Sequence, residues 1–190
     1  IAIVHHSSAI EGSTLTLNES TLLITDNLTA KGKPVNDHLM VKDHYAALEF
    51  CLNESKAKRK IDNNFLKQMN ALVNKNTGQV RNLALGIVDD TKGDFRLGNV
   101  QAGSTYFINY DKVIPQTDAL CKKLNAQIDI EHSIEQIYKL SFEAHYYLVT
   151  IHPWFDGNGR TARLLMNYIQ AWHNKPLSLV FAEDKLEYIE

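Results

Sequence analysis

The chain of 190 residues is long enough to bury one hydrophobic core, and its apolar fraction of 44% is ordinary for a globular domain. A formal net charge of −2 argues against a nucleic-acid-binding surface, and no apolar run approaches the ~20 residues that a membrane-spanning helix requires. Two distant cysteines, Cys51 and Cys121, predict free thiols in a reducing compartment, here the cytoplasm. The chain starts at Ile1 and shows no signal peptide, and we expect it to be part of a longer protein.

The first local feature is the run S-S-A-I-E-G at residues 7–12. One interpretation is a capping box, in which Ser8 would start a helix and Glu11 would complete the reciprocal pair. Gly12 follows at once, however, and glycine inside a first helical turn costs ~1 kcal/mol relative to alanine. We therefore favour a short helix that ends here, with Glu11 as its last polar group.

Capping signals and apolar spacing predict three helices in the next part of the chain. Thr16 and Glu19 form a capping box at the start of the first helix. Apolar residues recur at helical spacing over residues 37–53 in the second helix. The third covers residues 62–73 and begins behind the N-cap residue Asp62.

The helical period disappears between residues 74 and 110, where five glycines punctuate the chain, and this predicts short strands. The period resumes near Thr117 and continues in a longer helix from Ile134 to about Ile151. The apolar side of this longer helix is broad, so we expect it to be the central buried helix of the domain.

The most informative stretch is residues 151–163, which read I-H-P-W-F-D-G-N-G-R-T-A-R. Pro153 has no backbone N–H, so it ends the preceding helix and biases His152 away from helical dihedral angles. The two glycines of the stretch permit positive φ, and we expect a tight turn through Gly159 and a new helix from about Arg160. Successive N–H groups in such a turn, together with the positive end of the helix, would bind an anion.

The charged residues of this stretch are of the types that bind a nucleoside triphosphate. Arg160 and Arg163 lie three positions apart on one predicted helix face, and guanidinium groups donate hydrogen bonds to phosphate in pairs. Asp156 is then explained as a ligand of Mg²⁺, which bridges carboxylate and phosphate. His152, near neutral at physiological pH, is left to accept a proton from an attacking hydroxyl. Each residue alone has an ordinary structural explanation, but the whole set within thirteen positions favours a functional site.

The stretch H-P-W-F-D-G-N-G-R-T-A-R resembles the H-x-F-x-[DE]-G-N-G-R-x-x-R signature of the Fic-domain family, with Trp154 where that family usually has Phe. Most members of that family transfer AMP from ATP to a Ser, Thr or Tyr hydroxyl of a protein. The resemblance implies an all-α bundle with a small β-hairpin flap, formed by a single domain over residues 1–190. Residues 1–30 would be an N-terminal helical segment, and residues from about 35 to 190 would be the catalytic core.

The resemblance also implies a role for each polar residue of the signature. His152 would be the general base, Asp156 would hold Mg²⁺, and Arg163 would hold the γ-phosphate of ATP. Trp154 would be a buried anchor. The cradle for the α- and β-phosphates would be formed by Gly157, Asn158, Gly159 and Arg160.

Two further segments match the family. Residues 7–12 fit the [ST]-x-x-x-E-[GN] motif of an inhibitory helix, which is defined here by Ser7, Glu11 and Gly12, and in which Glu11 would pair with Arg163. Residues 93–106 resemble the flap hairpin, whose edge pairs with the backbone of the target, although without the signature a plain surface hairpin would be preferred. The expected target-docking residues of the flap are Val100, Gln101, Ala102, Gly103, Ser104, Thr105 and Tyr106.

The predicted function is Mg²⁺-dependent transfer of AMP from ATP to a protein hydroxyl, autoinhibited by Glu11. Three alternatives stay open: transfer of another phosphate-containing group by the same loop, removal of AMP from a modified target, and a non-enzymatic regulator that senses ATP. The target would be a protein, with this chain itself included, and a homo-oligomer stays open. Neither a nucleic acid nor a membrane is an expected partner.

Overall fold

A computed structural model of the chain describes residues 1–189. Helices dominate this part of the chain, and two short antiparallel hairpins lie between the fourth and the fifth helix, which confirms the predicted helical bundle. Short 3₁₀ turns cover Asp90–Lys92, Tyr110–Lys112 and Ala182–Asp184. The elements are α1 (Ala2–Ile10), α2 (Leu17–Asp26), α3 (Val35–Lys56), α4 (Asn63–Val73), β1 (Val80–Leu83), β2 (Gly86–Asp89), β3 (Gln101–Ala102), β4 (Thr105–Tyr106), α5 (Val113–Ile128), α6 (Ile134–Ile151), α7 (Asn158–Trp172) and α8 (Lys185–Ile189).

The end of α1 and the start of α2 lie where local signals predict. α1 ends at Ile10, and Gly12 follows with a φ of 103°, which glycine adopts without strain. The capping-box interpretation of Ser8 is wrong, because Ser8 lies inside the last turn of α1 and starts no helix. The capping box of α2 is confirmed: Thr16 accepts a hydrogen bond from the N–H of Glu19, and the Glu19 side chain accepts one in return.

Two hairpins occupy the glycine-rich region, whereas the resemblance implied one. β1 pairs with β2, and β3 pairs with β4, with Gln101 opposite Tyr106 in the second hairpin. The second hairpin is the one expected as the flap. The first was not expected as a separate hairpin because its turn residues, Ala84 and Leu85, carry no turn signal.

The central helix is α7 and not α6, so this expectation was wrong. Every residue of α7 except Gly159 and Ala171 is buried, since the helix packs against α3, α4 and α6. α6 buries one face and exposes Phe142 and Tyr146 on another. A broad apolar stripe predicts that one face of a helix is buried. It does not identify a helix that is buried on all sides, because such a helix can also contain polar residues that form hydrogen bonds with neighbouring helices.

α7 also begins two residues earlier than predicted. Its first residue is Asn158, so Gly159 lies in the first helical turn and not in the loop. The N-cap residue is Gly157, whose φ of 77° provides the left-handed conformation that the prediction had assigned to both glycines.

The two cysteines are free, as their spacing predicts, and both are buried. Burial raises the pKa of Cys121 to about 12, so this thiol stays protonated. Within residues 1–189, no helix combines the length and the hydropathy that crossing a bilayer requires.

Candidate active site

His152 follows the last turn of α6 in a left-handed conformation, with φ 51° and ψ 62°. This conformation is uncommon for a residue with a side chain, and it differs from the extended angles that a following proline favours. Residues held in sparsely populated backbone regions are found disproportionately at functional sites. A left-handed residue also ends α2, at Asn27, so the backbone of His152 suits a functional site but does not by itself distinguish this residue.

Two contacts fix the imidazole of His152. The ring stacks on Phe107, with centroids 3.7 Å apart and planes 20° from parallel. Nδ1 lies 3.3 Å from the carbonyl oxygen of Val149, and because a carbonyl only accepts, Nδ1 carries the proton of the neutral ring. Burial lowers the pKa of His152 to about 4, so the ring is neutral at physiological pH. Nε2 thus keeps a lone pair that can accept a proton.

Asn70 of α4 and Asn74, which directly follows this helix, hold the turn that carries Asp156. The side-chain amides of Asn70 and Asn74 both donate to the Asp156 carbonyl oxygen, at 3.0 and 3.3 Å. Gly157 lies so close to these two side chains that a Cβ at this position would be 2.8 Å from the amide nitrogen of each. The Asp156 side chain is 51% exposed, and its Oδ1 accepts a 2.6 Å hydrogen bond from the N–H of Gly157. The loop backbone is therefore fixed while its carboxylate stays accessible.

The first turn of α7 is open to an anion. Its N-cap, Gly157, has no side chain that could accept hydrogen bonds from the first backbone N–H groups. The Asn158 side chain is engaged elsewhere, because it bonds to both the N–H and the C=O of Trp154, at 3.0 and 2.9 Å. The N–H groups of Asn158 and Gly159 thus lie at the positive end of a 15-residue helix, an arrangement that binds phosphate.

Trp154 anchors the turn in the core. Its side chain is 1% exposed, its Nε1 donates to the carbonyl oxygen of Gly93 at 3.0 Å, and its ring packs on Phe95. The expected burial of this aromatic position is confirmed. The contact also attaches the turn to the segment that leads into the flap.

The side chain of Arg160 lies beneath the loop. It is 2% exposed, and it donates to the Val73 carbonyl oxygen and to Oδ1 of Asn74, both at 3.2 Å. A weaker contact of 3.4 Å joins it to Oδ1 of Asp156. The expectation that Arg160 and Arg163 reach one anion does not describe this structure, because their guanidinium groups have separate partners. In this arrangement Arg160 supports the loop from the protein interior.

Arg163 is held by α1. Its Nε donates to Oγ of Ser7 at 2.7 Å, and its Nη2 donates to the Ser7 carbonyl oxygen at 3.1 Å and to Oε1 of Glu11 at 2.6 Å. The Arg163 side chain is 4% exposed and that of Glu11 is 34% exposed. The pairing of Glu11 with Arg163 that the resemblance implied is therefore present, and it is largely shielded from solvent on the arginine side.

The Glu11 carboxylate also approaches the first turn of α7. A Cβ placed on Gly159 would lie 2.5 Å from Oε1 of Glu11 and 3.1 Å from Nη1 of Arg163. Gly159 thus provides the space in which the carboxylate sits. A negative charge from α1 occupies a position beside the helix terminus, where an anion is favoured.

Arg96 connects the flap to the turn that carries His152. The Arg96 guanidinium is almost fully buried and donates to three carbonyl oxygens, those of His152 at 2.8 Å, Gly98 at 2.8 Å and Ile108 at 2.5 Å. The backbone N–H of Arg96 donates to the Pro153 carbonyl oxygen at 2.9 Å. Arg96 therefore joins both ends of the flap to the backbone of His152 and Pro153.

The flap itself is a short, exposed hairpin. Phe107 donates its N–H to the Val100 carbonyl oxygen at 3.3 Å, which makes these two residues a hydrogen-bonded pair. Opposed residues in an antiparallel ladder alternate between bonded and non-bonded pairs, so Gln101 and Tyr106 form a non-bonded pair. Their backbone N–H groups point away from the hairpin and are free to pair with another strand.

Residues 60–170 match the Fic/DOC family. This match covers more than half of the chain and includes α4, the flap and the loop between α6 and α7. The chain belongs to the Fic/DOC family.

The similarity to individual relatives extends beyond residues 60–170 to nearly the whole chain. Over 97% of its length the chain is 31% identical to "Protein adenylyltransferase fic-1" of Caenorhabditis elegans, and over 98% it is 29% identical to "Protein adenylyltransferase Fic" of Nematostella vectensis. The chain covers 34% of the first of these proteins and 41% of the second, so it spans well under half of either relative.

Solved Fic structures share the fold. Fic-1 of Caenorhabditis elegans superposes with a TM-score of 0.79 at 30% identity, over 98% of this chain and 52% of that one. A Fic domain containing signaling protein from Bacteroides thetaiotaomicron gives a TM-score of 0.84 over 99% of this chain and 68% of that one, at 23% identity. At this identity, the similarity to the Bacteroides protein shows a shared fold.

Several residues of this Fic site had no role in the sequence-based prediction. Asn70 and Asn74 are polar residues four positions apart, next to the apolar stripe of the predicted helix. Their polarity at these positions was the only local sign of a role in the site. Arg96 fell inside the segment compared with the flap but was given no function. Phe107 follows the last expected flap residue by one position, and nothing in the local sequence indicated that its ring meets His152.

Proposed function

We propose that this domain transfers AMP from ATP to a protein hydroxyl group. The observation that carries the proposal is the combination of a neutral His152, with Nε2 unprotonated, and an adjacent helix terminus whose first N–H groups are open to phosphate. The names of the relatives, which describe protein adenylyltransferases, support the same activity.

In the proposed reaction the hydroxyl oxygen of the target attacks the α-phosphorus of ATP. His152 Nε2 takes the hydroxyl proton, a new P–O bond forms, and the bond between the α- and β-phosphates breaks to release pyrophosphate. The N–H groups of Asn158 and Gly159 stabilise the negative charge that develops on the phosphates, while the N–H of Gly157 donates to the Asp156 carboxylate. Arg160 keeps the loop in place through Asn74 and Asp156, and Arg163 binds the γ-phosphate once it leaves Glu11.

The direct test is incubation of the purified domain with ATP and a candidate target, followed by mass spectrometry of every protein present. Added AMP supports the proposal. Addition of phosphate instead, loss of AMP from a premodified target, or no modification despite measurable ATP binding would each identify one of the alternative activities. The chain itself serves as the first target, because self-modification requires no knowledge of the physiological partner.

Asp156 fits the requirement for a Mg²⁺ ligand. Mg²⁺ in nucleotide sites uses one or two carboxylates together with substrate phosphates, and the half-exposed carboxylate of Asp156 lies next to the proposed phosphate cradle. Within the described residues no three His, Cys, Asp or Glu side chains converge into a metal cage. When bound, the ion would neutralise phosphate charge during transfer.

Substitution of this carboxylate tests the metal assignment. We expect Asp156→Ala to lower transfer at every Mg²⁺ concentration, and Asp156→Asn to do the same although its side-chain oxygen can still accept from the N–H of Gly157. The measurement is the transfer rate over a Mg²⁺ titration. An unchanged Mg²⁺ optimum in Asp156→Asn would place the metal elsewhere.

The exposed flap is proposed to bind the target by strand addition. The outward N–H groups of Gln101 and Tyr106 lie on opposite edges of the hairpin, and main-chain pairing with an extended segment makes little demand on its sequence. The flap adjoins the acceptor position because Phe107, which directly follows β4, stacks on His152.

Proline substitutions at these two positions test the flap. Each removes one outward N–H without breaking the Val100–Phe107 bond of the hairpin. Each substitution tests one edge of the hairpin. We expect the one on the edge that binds the target, Gln101→Pro or Tyr106→Pro, to reduce target labelling at least several-fold and to leave ATP affinity unchanged. The other variant is the matched control, and equal losses of labelling and of ATP affinity would contradict the assignment.

A further inference from the structure

Tyr188 of α8 contacts Arg163, and no role has been assigned to it above. Nη1 of Arg163 donates to the Tyr188 hydroxyl oxygen at 3.1 Å, and the guanidinium carbon lies 5.7 Å from the centroid of the tyrosine ring. The same hydroxyl lies 2.6 Å from Nε2 of His145 on α6. One hydroxyl group therefore joins α6, α7 and α8 next to the Glu11–Arg163 pair.

The direction of both hydrogen bonds follows from the groups involved. A guanidinium only donates, so the Tyr188 oxygen accepts from Arg163 and its own proton is left for His145. His145 can accept it because burial lowers the pKa of this imidazole to about 4 and keeps the ring neutral. With both hydrogen bonds made, the hydroxyl has a fixed orientation towards Arg163.

The segment that carries Tyr188 is also attached to α1. The N–H of Ala182 donates to Nδ1 of His6 at 3.2 Å, and the ring of Phe181 packs edge-on against His6 with centroids 5.2 Å apart. The residues from 181 to 188 thus contact both α1, which carries Glu11, and Arg163, which pairs with it.

We propose that Tyr188 is a positioning residue that holds Arg163 in the orientation that pairs with Ser7 and Glu11. This inference rests on the proposed function, in which Arg163 must leave Glu11 to bind the γ-phosphate. The guanidinium is planar and rigid, so a movement that takes Nη2 away from Glu11 also displaces Nη1 from Tyr188. The tyrosine hydroxyl therefore strengthens the Glu11–Arg163 pair, and through this pair it favours the restrained state over the state that binds ATP productively.

Tyr188→Phe removes only the hydroxyl and tests this coupling. Loss of one such hydrogen bond corresponds to a change of about two- to tenfold, so we expect transfer to rise by that factor when Glu11 is present. With Glu11→Gly already in place, the same substitution should give no further rise. Tyr138→Phe is the matched control, because its hydroxyl bonds to the Pro176 carbonyl oxygen, away from Arg163. The same increase in both backgrounds, or no increase beyond the control, would overturn the proposal.

A second measurement does not depend on catalysis. Nε of Arg163 donates to the buried Ser7 Oγ, so its N–H should exchange slowly with water in a ¹⁵N NMR spectrum of the unsubstituted protein. We expect Tyr188→Phe to accelerate this exchange at least twofold and Tyr138→Phe to leave it unchanged. If no variant transfers AMP, Glu11→Gly included, the proposed function fails, while the exchange rate still decides the role of Tyr188. An exchange rate unaffected by Tyr188→Phe would refute that role.

Discussion

Replacement of His152 by asparagine should reduce AMP transfer by about 10²–10⁴-fold while leaving ATP affinity close to that of the parent. The imidazole is assigned to proton removal from the attacking hydroxyl, and none of its contacts involves the phosphate cradle. Asparagine is the better test than alanine, because position 152 has a φ of 51° and asparagine tolerates the left-handed region. The measurements are the rate of labelling by ATP at saturating Mg²⁺ and the calorimetric affinity for ATP.

His152→Ala provides the comparison that separates chemistry from backbone effects. Both variants lack the base, so both should lose transfer, whereas alanine alone should also lower the melting temperature through strain at the left-handed position. Near-parental labelling by His152→Asn would exclude His152 as the general base. Loss of ATP binding in parallel with labelling would instead indicate that the imidazole supports the nucleotide site.

Replacement of Glu11 by glycine should raise AMP transfer, by up to about a hundredfold. The Glu11 carboxylate takes one N–H of Arg163 and lies beside the first turn of α7. ATP would have to bring its γ-phosphate to the same arginine. With Arg163 neutralised and a negative charge at the outer end of the cradle, we expect the triphosphate not to reach the position that would align its α-phosphorus with the attacking hydroxyl.

The size of the expected effect is compatible with one partly buried ion pair. Each ~1.4 kcal/mol of bias changes a rate or an affinity tenfold, so a hundredfold restraint requires about 2.8 kcal/mol. A solvent-exposed pair would not supply this much, but Arg163 is 4% exposed and has no other carboxylate within 4.0 Å among the described residues. Two further hydrogen bonds to Ser7 orient the guanidinium towards α1, and this orientation places Nη2 beside Glu11.

Glu11→Gln separates the charge from the contact. Glutamine can still accept a hydrogen bond from Arg163 but carries no negative charge, so its activity should lie between that of the parent and that of Glu11→Gly. The measurement is self-labelling by ATP for the three proteins under matched conditions, with melting temperatures to confirm equal folding. Activity of Glu11→Gly that stays at or below the parental level would rule out an inhibitory role for α1.

Local signals in the sequence determined the helices and the chemistry of the loop. The capping box of Thr16 and Glu19, the N-cap Asp62 and the glycine after α1 each act through neighbouring residues, so their effects could be predicted without knowing the fold. For His152 the following proline predicts only that the backbone is not right-handed helical, and the left-handed conformation was not predicted. The full signature then identified the family, since its residues fall within thirteen positions.

Only the tertiary structure decided what each polar side chain of the site contacts. Arg160 and Arg163 have the same charge and lie three positions apart, yet one guanidinium bonds to α4 and the other to α1. Their partners are separated from them by 87 and 156 positions in the chain, and no local pattern carries information over such distances. The burial of α7 has the same origin, because a helix is surrounded only when elements from distant parts of the chain pack around it. Sequence spacing therefore determined which groups are available at the site, and the contacts of α1, α4 and α8 with α7 determined which of these groups bond to one another.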